Sequence, residues 1–150
     1  MKIRIYADGV FDLFHFGHAK LLEQAKKAFP DVHLIVGINT QEDTLKYKGL
    51  TVMTYDERCE CVRHCKWVDE IILDAPWVLT ETFMKKHNID YVAHDGDPYP
   101  TSDIEDIYMV PKMAGKFIAT QRTSNISTTD LIERILKNKD EFQSRNDSRI

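Results

Sequence analysis

Two histidines stand at a strand-to-helix transition near the start of the chain. Ile3 and Ile5 indicate a short β-strand, and His15 and His18, with Gly17 between them, open a helical pattern. A helix start offers unpaired backbone N–H groups and a partial positive charge, and therefore favours phosphate. Two imidazoles there can donate further hydrogen bonds to phosphate oxygens, and a glycine lets the backbone approach them. The segment predicts a site for a phosphorylated ligand.

A second helix start lies late in the chain. Ser127 is a candidate N-cap with Asp130 three residues further on, and Arg122 precedes them. A guanidinium beside this helix end could grip the β- and γ-phosphates of a nucleotide and steady a leaving pyrophosphate. The alternative is a surface arginine beside an ordinary capping box.

Alternating strands and helices must position these groups. Strands separated by helices indicate a parallel sheet covered on both faces, a Rossmann-like α/β fold in three layers, with ligands over the carboxyl ends of the strands. A polar stretch over Asn39–Gly49 and a loop over Asp95–Pro100 are expected. After the first strand the predicted strands are Val32–Ile38, Glu70–Leu73, Asp90–His94 and Lys116–Thr120, and the predicted helices are His18–Phe29, Tyr55–Trp67, Thr80–His87, Asp103–Val110 and Ser127–Lys139.

Residues able to bind a ligand fall at the predicted strand ends. His15, Gly37, His94 and Gln121 lie at or just after four different strands. Because parallel strands end at one edge of a sheet, we expect these segments to converge on one crevice. One domain over 1–140 is expected, with a polar C-terminal tail over 141–150 that frays from Arg145 and could continue into a longer protein.

Length and charge limit the class of protein. The chain has 150 residues, 43% of them hydrophobic, which is enough for one core. With 20 basic and 24 acidic side chains the net charge is −4, which argues against a general nucleic-acid or anionic-membrane surface. Because no apolar run reaches the length of a membrane span and Met1 leads directly into a strand, a soluble intracellular, cytoplasmic protein is expected.

Three cysteines are clustered in one predicted helix. Cys59, Cys61 and Cys65 form a C-x-C-x3-C pattern beside His64, which matches no usual zinc spacing and lacks a second ligand cluster. Cys59, Val62 and Cys65 share the inward stripe of the helix. We therefore expect small buried hydrophobic residues in a reducing compartment, and no protein metal site.

The two helix starts together carry a resemblance to a known superfamily. His15–His18 fits the HxGH signature of the cytidylyltransferase-like nucleotidyltransferases, and the segment 122–128, RTSNIST, resembles their second signature, RTEGIST. Asn125 replaces its glycine, and asparagine is the residue that best tolerates a positive φ there. Within the superfamily the chain is most similar to the choline-phosphate cytidylyltransferases, in the segments YADGVFDLFH, FPDVHLIVGI, KGLTV, HCKWVDE, APW, DYVAHD and TQRT.

The resemblance implies a nucleotidyltransferase fold and the reaction of CTP with phosphocholine to give CDP-choline and pyrophosphate, with Mg2+ arriving on the triphosphate. It implies His15, His18, Lys48 and Arg122 as catalytic residues. Lys48 would contact both substrates, although a mobile lysine before Gly49 is equally typical of a surface. The residues implied for CTP are Gly9, Val10, Phe11, His15, Gly17, His18, Lys48, His94, Asp95, Gln121, Arg122, Thr123, Ile126, Ser127 and Thr128.

Phosphocholine carries a quaternary ammonium, which aromatic faces and carboxylates recognise. The resemblance implies that Asp8, Lys48, Trp77, Tyr99 and Tyr108 bind it. Tyr108 could instead be a packing residue of a helical stripe with Ile104 and Ile107, and Pro111 could end that helix and displace it.

The resemblance also implies a homodimer. Two alternatives stay open: the same chemistry on phosphoethanolamine or glycerol 3-phosphate, for which no aromatic cage is needed, and a catalytically silent nucleotide-binding module that has kept the fold. The intact His15, His18, Lys48 and Arg122 argue against the silent module.

Overall fold

A five-stranded parallel sheet forms the centre of the protein in the computed structural model, which describes residues 1–149. The strands are β1 (Ile3–Gly9), β2 (Val32–Asn39), β3 (Glu70–Ala75), β4 (Tyr91–Asp95) and β5 (Phe117–Thr120), and their order in the sheet is β3-β2-β1-β4-β5. The chain order reverses between β1 and β4, and such a switch point leaves a crevice at the carboxyl ends of both strands. The predicted α/β fold is confirmed.

Seven helices connect and follow the strands within the described residues. They are α1 (Phe16–Lys26), α2 (Gln41–Tyr47), α3 (Tyr55–Arg63), α4 (Glu81–Lys86), α5 (Met109–Met113), α6 (Thr128–Lys137) and α7 (Lys139–Asp147). The α7 helix occupies most of the segment expected to be a polar tail and continues past Arg145, where fraying was expected. Ile150, the last residue of that expected tail, lies outside the described residues.

Strand alternation gives the sheet two apolar faces, and both are covered. On one face Ile5 and Ala7 pack with Leu22 of α1 and Val62 of α3, and on the other Tyr6 packs with residues from β2, β4 and α4, including Ile35, Val92 and Met84. Successive side chains of a strand point to opposite faces of the sheet, so a strand that is covered on both sides carries hydrophobic residues on both. The helices on both faces were predicted from the alternating pattern.

One helix was not predicted, and two predicted helices were wrong in position. The polar stretch Asn39–Gly49 contains α2, whose N-cap Thr40 accepts a hydrogen bond from the Asp43 amide at 3.0 Å. The helix expected over Tyr55–Trp67 ends at Arg63. As a result Cys65 lies beyond the helix and is only partly buried, whereas Cys59 is in the core.

The helix expected over Asp103–Val110 does not form there, because the Asp106 carboxylate holds the preceding chain as a loop. Its Oδ1 atom accepts the amides of Tyr99, at 3.2 Å, and Tyr108, at 3.0 Å. The α5 helix begins at Met109, and Pro111 lies in its first turn, where a missing N–H costs nothing. The displacement of Tyr108 that Pro111 could have caused is not seen: Tyr108 is 3% exposed and hydrogen-bonded.

Candidate active site

A cleft of about 550 Å³ opens at the carboxyl ends of β1 and β4. Its walls come from the loop between β1 and α1, the end of α2, the end of β4, and the loop that leads from β5 into α6. This volume lies within the range of pockets that hold a small organic ligand. The position agrees with the crevice expected from the strand order.

The β1–α1 loop holds two residues in the left-handed region. Phe11 has a φ of 57° and Leu13 a φ of 50°, conformations that cost non-glycine residues about 1 kcal/mol or more each. The resulting turn brings the rings of Phe11 and Phe14 against His18, at centroid distances of 5.5 and 5.4 Å. This strained loop therefore packs apolar rings around an imidazole at the cleft.

The two histidines cap α1 through their Nδ1 atoms. His15 Nδ1 accepts the Gly17 amide at 3.1 Å, and His18 Nδ1 accepts the His15 amide at 3.1 Å. A neutral imidazole whose Nδ1 accepts a hydrogen bond carries its proton on Nε2. The rings stack with a centroid distance of 3.8 Å and an interplanar angle of 22°. Backbone geometry thus turns both side chains into Nε2–H donors.

Both imidazoles are held neutral. Burial, together with the nearby charges of His15 and Lys48, lowers the pKa of His18 to about 3, and burial also lowers the pKa of His15. A ring that stays neutral at physiological pH donates one hydrogen bond from Nε2 without acting as an acid. His15 Nε2 lies 3.5 Å from the Thr128 hydroxyl, which donates its own hydrogen to the Asp12 carbonyl at 2.9 Å.

Gly17 is required by packing against the His15 ring. A Cβ atom at this position would lie 2.9 Å from His15 Cε1 and Nδ1 and 3.1 Å from Ile126 Cγ2. Gly37, expected at the crevice, is not a cleft residue. It lies against the Tyr6 hydroxyl, which would be 2.0 Å from a Cβ atom added to Gly37.

Lys48 follows α2 directly and lines the cleft. Its side chain is mostly exposed, but its ammonium is desolvated enough to lower its pKa, a shift that the nearby Asp12 carboxylate opposes. Asp12 itself is buried and accepts the amides of Val52 and Met53, both at 2.8 Å. Asp12 therefore ties the segment that follows Lys48 to the histidine loop.

Arg122 extends from the loop after β5 into the cleft. Its Nε donates to Asp95 Oδ2 at 3.3 Å, and its Nη2 donates to the Tyr99 hydroxyl, which itself donates to Asp95. Although burial alone would raise it, the pKa of Asp95 is lowered by Tyr99 and by the charges of His94 and Arg122. The guanidinium is 66% exposed and retains free N–H groups for an anion.

The helix start of α6 faces the same cleft. Ser127 caps it by accepting the Asp130 amide at 3.0 Å, as predicted. Asn125 has a φ of 64°, which confirms that asparagine takes the left-handed conformation at this point of the loop. Gln24 of α1 holds the loop through reciprocal hydrogen bonds with the Gln121 backbone, both at 2.9 Å. Two helix N-termini thus converge on one space.

Asp8 and Tyr99 line one end of the cleft, and Tyr108 lies behind Asp8. The Tyr108 hydroxyl donates to Asp8 Oδ1 at 2.7 Å, and burial raises the pKa of Asp8 despite this bond. The Tyr108 ring stacks on His94 at a centroid distance of 4.6 Å, and the Tyr99 ring meets His94 edge-on at 4.9 Å. This group combines negative charge with aromatic surface.

The structure brings nearly all the residues named from the sequence to one place. Every residue that the resemblance assigns to CTP lines the cleft, as do Asp8, Lys48 and Tyr99 of the phosphocholine set. Tyr108 lies beneath Asp8. Trp77 does not line the cleft and instead stacks on Tyr47, with ring centroids 5.2 Å apart.

Sequence reasoning missed the residues that support the cleft from behind. Asp12 was passed over as part of a loop, and Arg58 as part of a helix. Arg58 is 0% exposed and donates to the carbonyls of Val10, at 2.7 Å, and Asn39, at 3.3 Å, at the ends of β1 and β2. The sequence offered one indication of this role: Arg58 lies on the same side of its helix as the buried Cys59 and Val62.

Across residues 1–149, no three or more His, Cys, Asp or Glu side chains are grouped so as to hold a metal ion. In the same range no helix is long and apolar enough to cross a bilayer.

Fold and cleft together define an α/β protein with a histidine-capped helix start at the switch point of a parallel sheet, an arrangement that suits a phosphorylated ligand. The chain belongs to the Cytidylyltransferase-like family, which it matches over residues 6–134.

Several curated proteins are similar to this chain. It is 58% identical to choline-phosphate cytidylyltransferase 2 of Arabidopsis thaliana, over 96% of this chain and 48% of that protein. It is 57% identical to the probable choline-phosphate cytidylyltransferase of Schizosaccharomyces pombe, over 96% of this chain and 40% of that protein. The chain thus spans less than half the length of these relatives.

A solved structure shares the fold. The lipopolysaccharide core biosynthesis protein of Thermoplasma volcanium superimposes with a TM-score of 0.65 at 19% identity, over 83% of this chain and 100% of that one.

Proposed function

We propose that the protein transfers CMP from CTP to phosphocholine, giving CDP-choline and pyrophosphate, a step in phosphatidylcholine synthesis. The observation that carries this proposal is the pair of Nε2–H donors of His15 and His18 in the cleft that Lys48 and Arg122 also line. The names of the similar curated proteins support CTP and phosphocholine as the substrates.

The chemistry is a direct displacement at the α-phosphate of CTP. A phosphate oxygen of phosphocholine forms a bond to the α-phosphorus while the bond from that phosphorus to the bridging oxygen of pyrophosphate breaks. A phosphomonoester has a second pKa of about 6 and is largely ionised at neutral pH, so the nucleophile needs no general base. The site therefore has to position two anions and stabilise the charge that develops between them.

Each cationic or donor group has one place in this reaction. His15 and His18 donate to oxygens of the α-phosphate, where negative charge grows in the transition state. Lys48, at the end of α2, bridges the α-phosphate and the attacking phosphate. Arg122 and the start of α6 hold the β- and γ-phosphates and stabilise the leaving pyrophosphate.

Magnesium enters this reaction as part of the Mg2+–CTP substrate. The cleft carboxylates are already engaged by protein donors: Asp12 by two backbone amides, Asp8 by Tyr108, and Asp95 by Tyr99 and Arg122. Mg2+ commonly binds through substrate phosphates and water with few protein ligands, and this donor set fits that mode. When bound, the ion neutralises part of the triphosphate charge.

Recognition of choline requires a site for a cation that cannot donate hydrogen bonds. Asp8 and Tyr99 supply a carboxylate and an aromatic ring at one end of the cleft, the Tyr108 ring lies behind Asp8, and Trp77 adds an indole against the end of α2. Cation–π attraction and a buried carboxylate suit a quaternary ammonium. Phosphoethanolamine and glycerol 3-phosphate carry no quaternary ammonium and do not need these rings. The rings therefore favour phosphocholine as the substrate.

Turnover by the purified chain tests the proposal. The protein is incubated with CTP and Mg2+ and with phosphocholine, phosphoethanolamine or glycerol 3-phosphate, and pyrophosphate release and the CDP-alcohol product are measured. We expect the highest kcat/KM with phosphocholine. A higher value with another phosphoalcohol would move the assignment to that substrate, and no turnover with any of them would leave a silent nucleotide-binding module. Trp77→Ala should weaken phosphocholine use far more than CTP binding.

We also propose a homodimer that acts in the cytoplasm. Three unpaired cysteines are compatible with a reducing compartment. Sedimentation velocity of the purified chain over a range of concentrations tests the dimer, and a single monomeric species would contradict it.

A further inference from the structure

A stacked aromatic pair joins Trp77, which the proposed function assigns to choline, to Tyr47, which has no role assigned so far. Tyr47, the last residue of α2, lies against Trp77 of the loop after β3, with ring centroids 5.2 Å apart and planes inclined by 18°. Trp77 is partly buried, and Tyr47 is 39% exposed. The Lys46 ammonium lies 5.0 Å from the Tyr47 centroid, so this ring already attracts a cation.

The end of α2 links this pair to the phosphate site. Lys48 follows Tyr47, and the amides of Lys48 and Gly49 both donate to the Thr44 carbonyl, at 2.9 and 2.8 Å. Thr44 is fully buried, and its hydroxyl donates to the Thr40 carbonyl at 2.7 Å. The short helix is therefore anchored at Thr44, and the directions of Tyr47 and Lys48 are fixed together.

Gly49 marks where this anchored segment ends. Its φ is 127°, a conformation that favours glycine, and a Cβ there would meet no atom within 4 Å. The chain beyond is fastened separately, by the bonds from Val52 and Met53 to Asp12. The end of α2 and the histidine loop are therefore held by separate sets of hydrogen bonds.

Phosphocholine joins its phosphate to its quaternary ammonium through a short carbon chain, so a molecule whose phosphate meets Lys48 must place its cation close to the end of α2. We propose that Tyr47 is a positioning residue for phosphocholine: it holds the Trp77 indole beside Lys48, so that one ligand meets the ammonium of Lys48 and the face of Trp77 together. The inference rests on the proposed function and adds to it a residue that selects choline.

Kinetics of two variants at this position test the inference. Tyr47→Ala should raise the KM for phosphocholine about five- to tenfold, which is the effect expected for losing one aromatic contact, and change kcat and the KM for CTP less than about twofold. Tyr47→Phe keeps the ring and should behave like the unmodified protein. Leu45→Ala, on the same helix and 50% exposed, is the matched control and should change neither KM.

A binding measurement that needs no turnover accompanies the kinetics. Trp67 and Trp77 are the two tryptophans, so Trp67→Phe leaves Trp77 as the reporter of fluorescence. Phosphocholine should change its emission, and Tyr47→Ala in the same background should shift the titration to higher concentration by the same factor as the KM.

The outcomes separate this inference from the proposed function. Turnover of phosphocholine with an unchanged KM in Tyr47→Ala would overturn the inference and leave the function standing, as would equal losses for CTP and phosphocholine. Absence of turnover in the unmodified protein would overturn the function, and the fluorescence titration would then decide alone: no response of Trp77 to phosphocholine, or the same response in Tyr47→Ala, would refute the inference.

Discussion

Replacing Gly17 by alanine tests whether the site depends on the position of the His15 ring. The added Cβ would lie 2.9 Å from two ring atoms, whereas ordinary contacts between such atoms are 3.4–4 Å. The ring must therefore retreat by about 0.5 to 1 Å. It cannot do so freely, because it also stacks on His18 at 3.8 Å and accepts the Gly17 amide.

The expected effect on stability is moderate, and the effect on activity is large. Overpacking costs about 1 to 3 kcal/mol and a weakened cap about 1 kcal/mol, while alanine in a helix returns up to about 1 kcal/mol. With the full return from alanine, we expect the free energy of unfolding to fall by about 1 to 3 kcal/mol. A displaced donor to the developing charge should lower kcat about 100-fold or more.

The assay compares kcat for CTP and phosphocholine with urea unfolding of the same samples. Gly96→Ala is the control, because a Cβ there would meet only Ala119 Cβ, at an ordinary 3.6 Å, and we expect near-normal activity. If Gly17 acts through His15, adding Gly17→Ala to His15→Ala should lower kcat no further. Full activity in Gly17→Ala, or losses that multiply in the double variant, would refute the reasoning.

Three further substitutions have defined outcomes. His18 has a pKa of about 3 in the folded protein against an ordinary 6.5, so the unfolded chain takes up the proton first as the pH falls. Lowering the pH from 6 to 5 should therefore reduce the free energy of unfolding in urea by about 1 kcal/mol. The His18→Gln variant should not show this loss. Arg122→Lys should raise the KM for CTP about 10- to 100-fold, because the planar guanidinium fork is lost. The KM for phosphocholine should change little. Equal changes of the two KM values in steady-state assays would contradict the assignment. Tyr108→Phe removes the hydroxyl donor to the buried Asp8 and should lower the free energy of unfolding in urea by about 1 to 3 kcal/mol, a loss that a surface tyrosine would not show.

The parts of the fold that the sequence predicts are those set by local pattern. Buried strands and amphipathic helices were located because their apolar residues recur at the expected spacing. The α2 helix was missed because its sequence has almost no apolar stripe; it forms from the Thr40 cap and from Glu42 and Asp43 in its first turn. The 103–110 helix was wrong because the Asp106 carboxylate, whose partners lie in tertiary contact, decides the local conformation.

The candidate site divides in the same way. The two helix starts can be recognised from a few neighbouring residues, because caps and phosphate-binding signatures are local. Their supports are not local: Asp12 binds amides 40 and 41 residues away, and Arg58 reaches Val10 across 48 positions. Nothing in the sequence around either residue specifies such partners. A single sequence therefore indicates which side chains meet a ligand and omits those that hold them in place.

The direction of the hydrogen bonds at α1 determines what kind of catalysis the site can perform. Because backbone amides occupy Nδ1 of both His15 and His18, the remaining ring nitrogens can only donate while the rings are neutral. A general base would need a free lone pair in the cleft, and neither imidazole offers one there. The cap that forms the helix is thus also the device that excludes proton abstraction by these histidines, and an already ionised phosphate is the nucleophile that such a site requires.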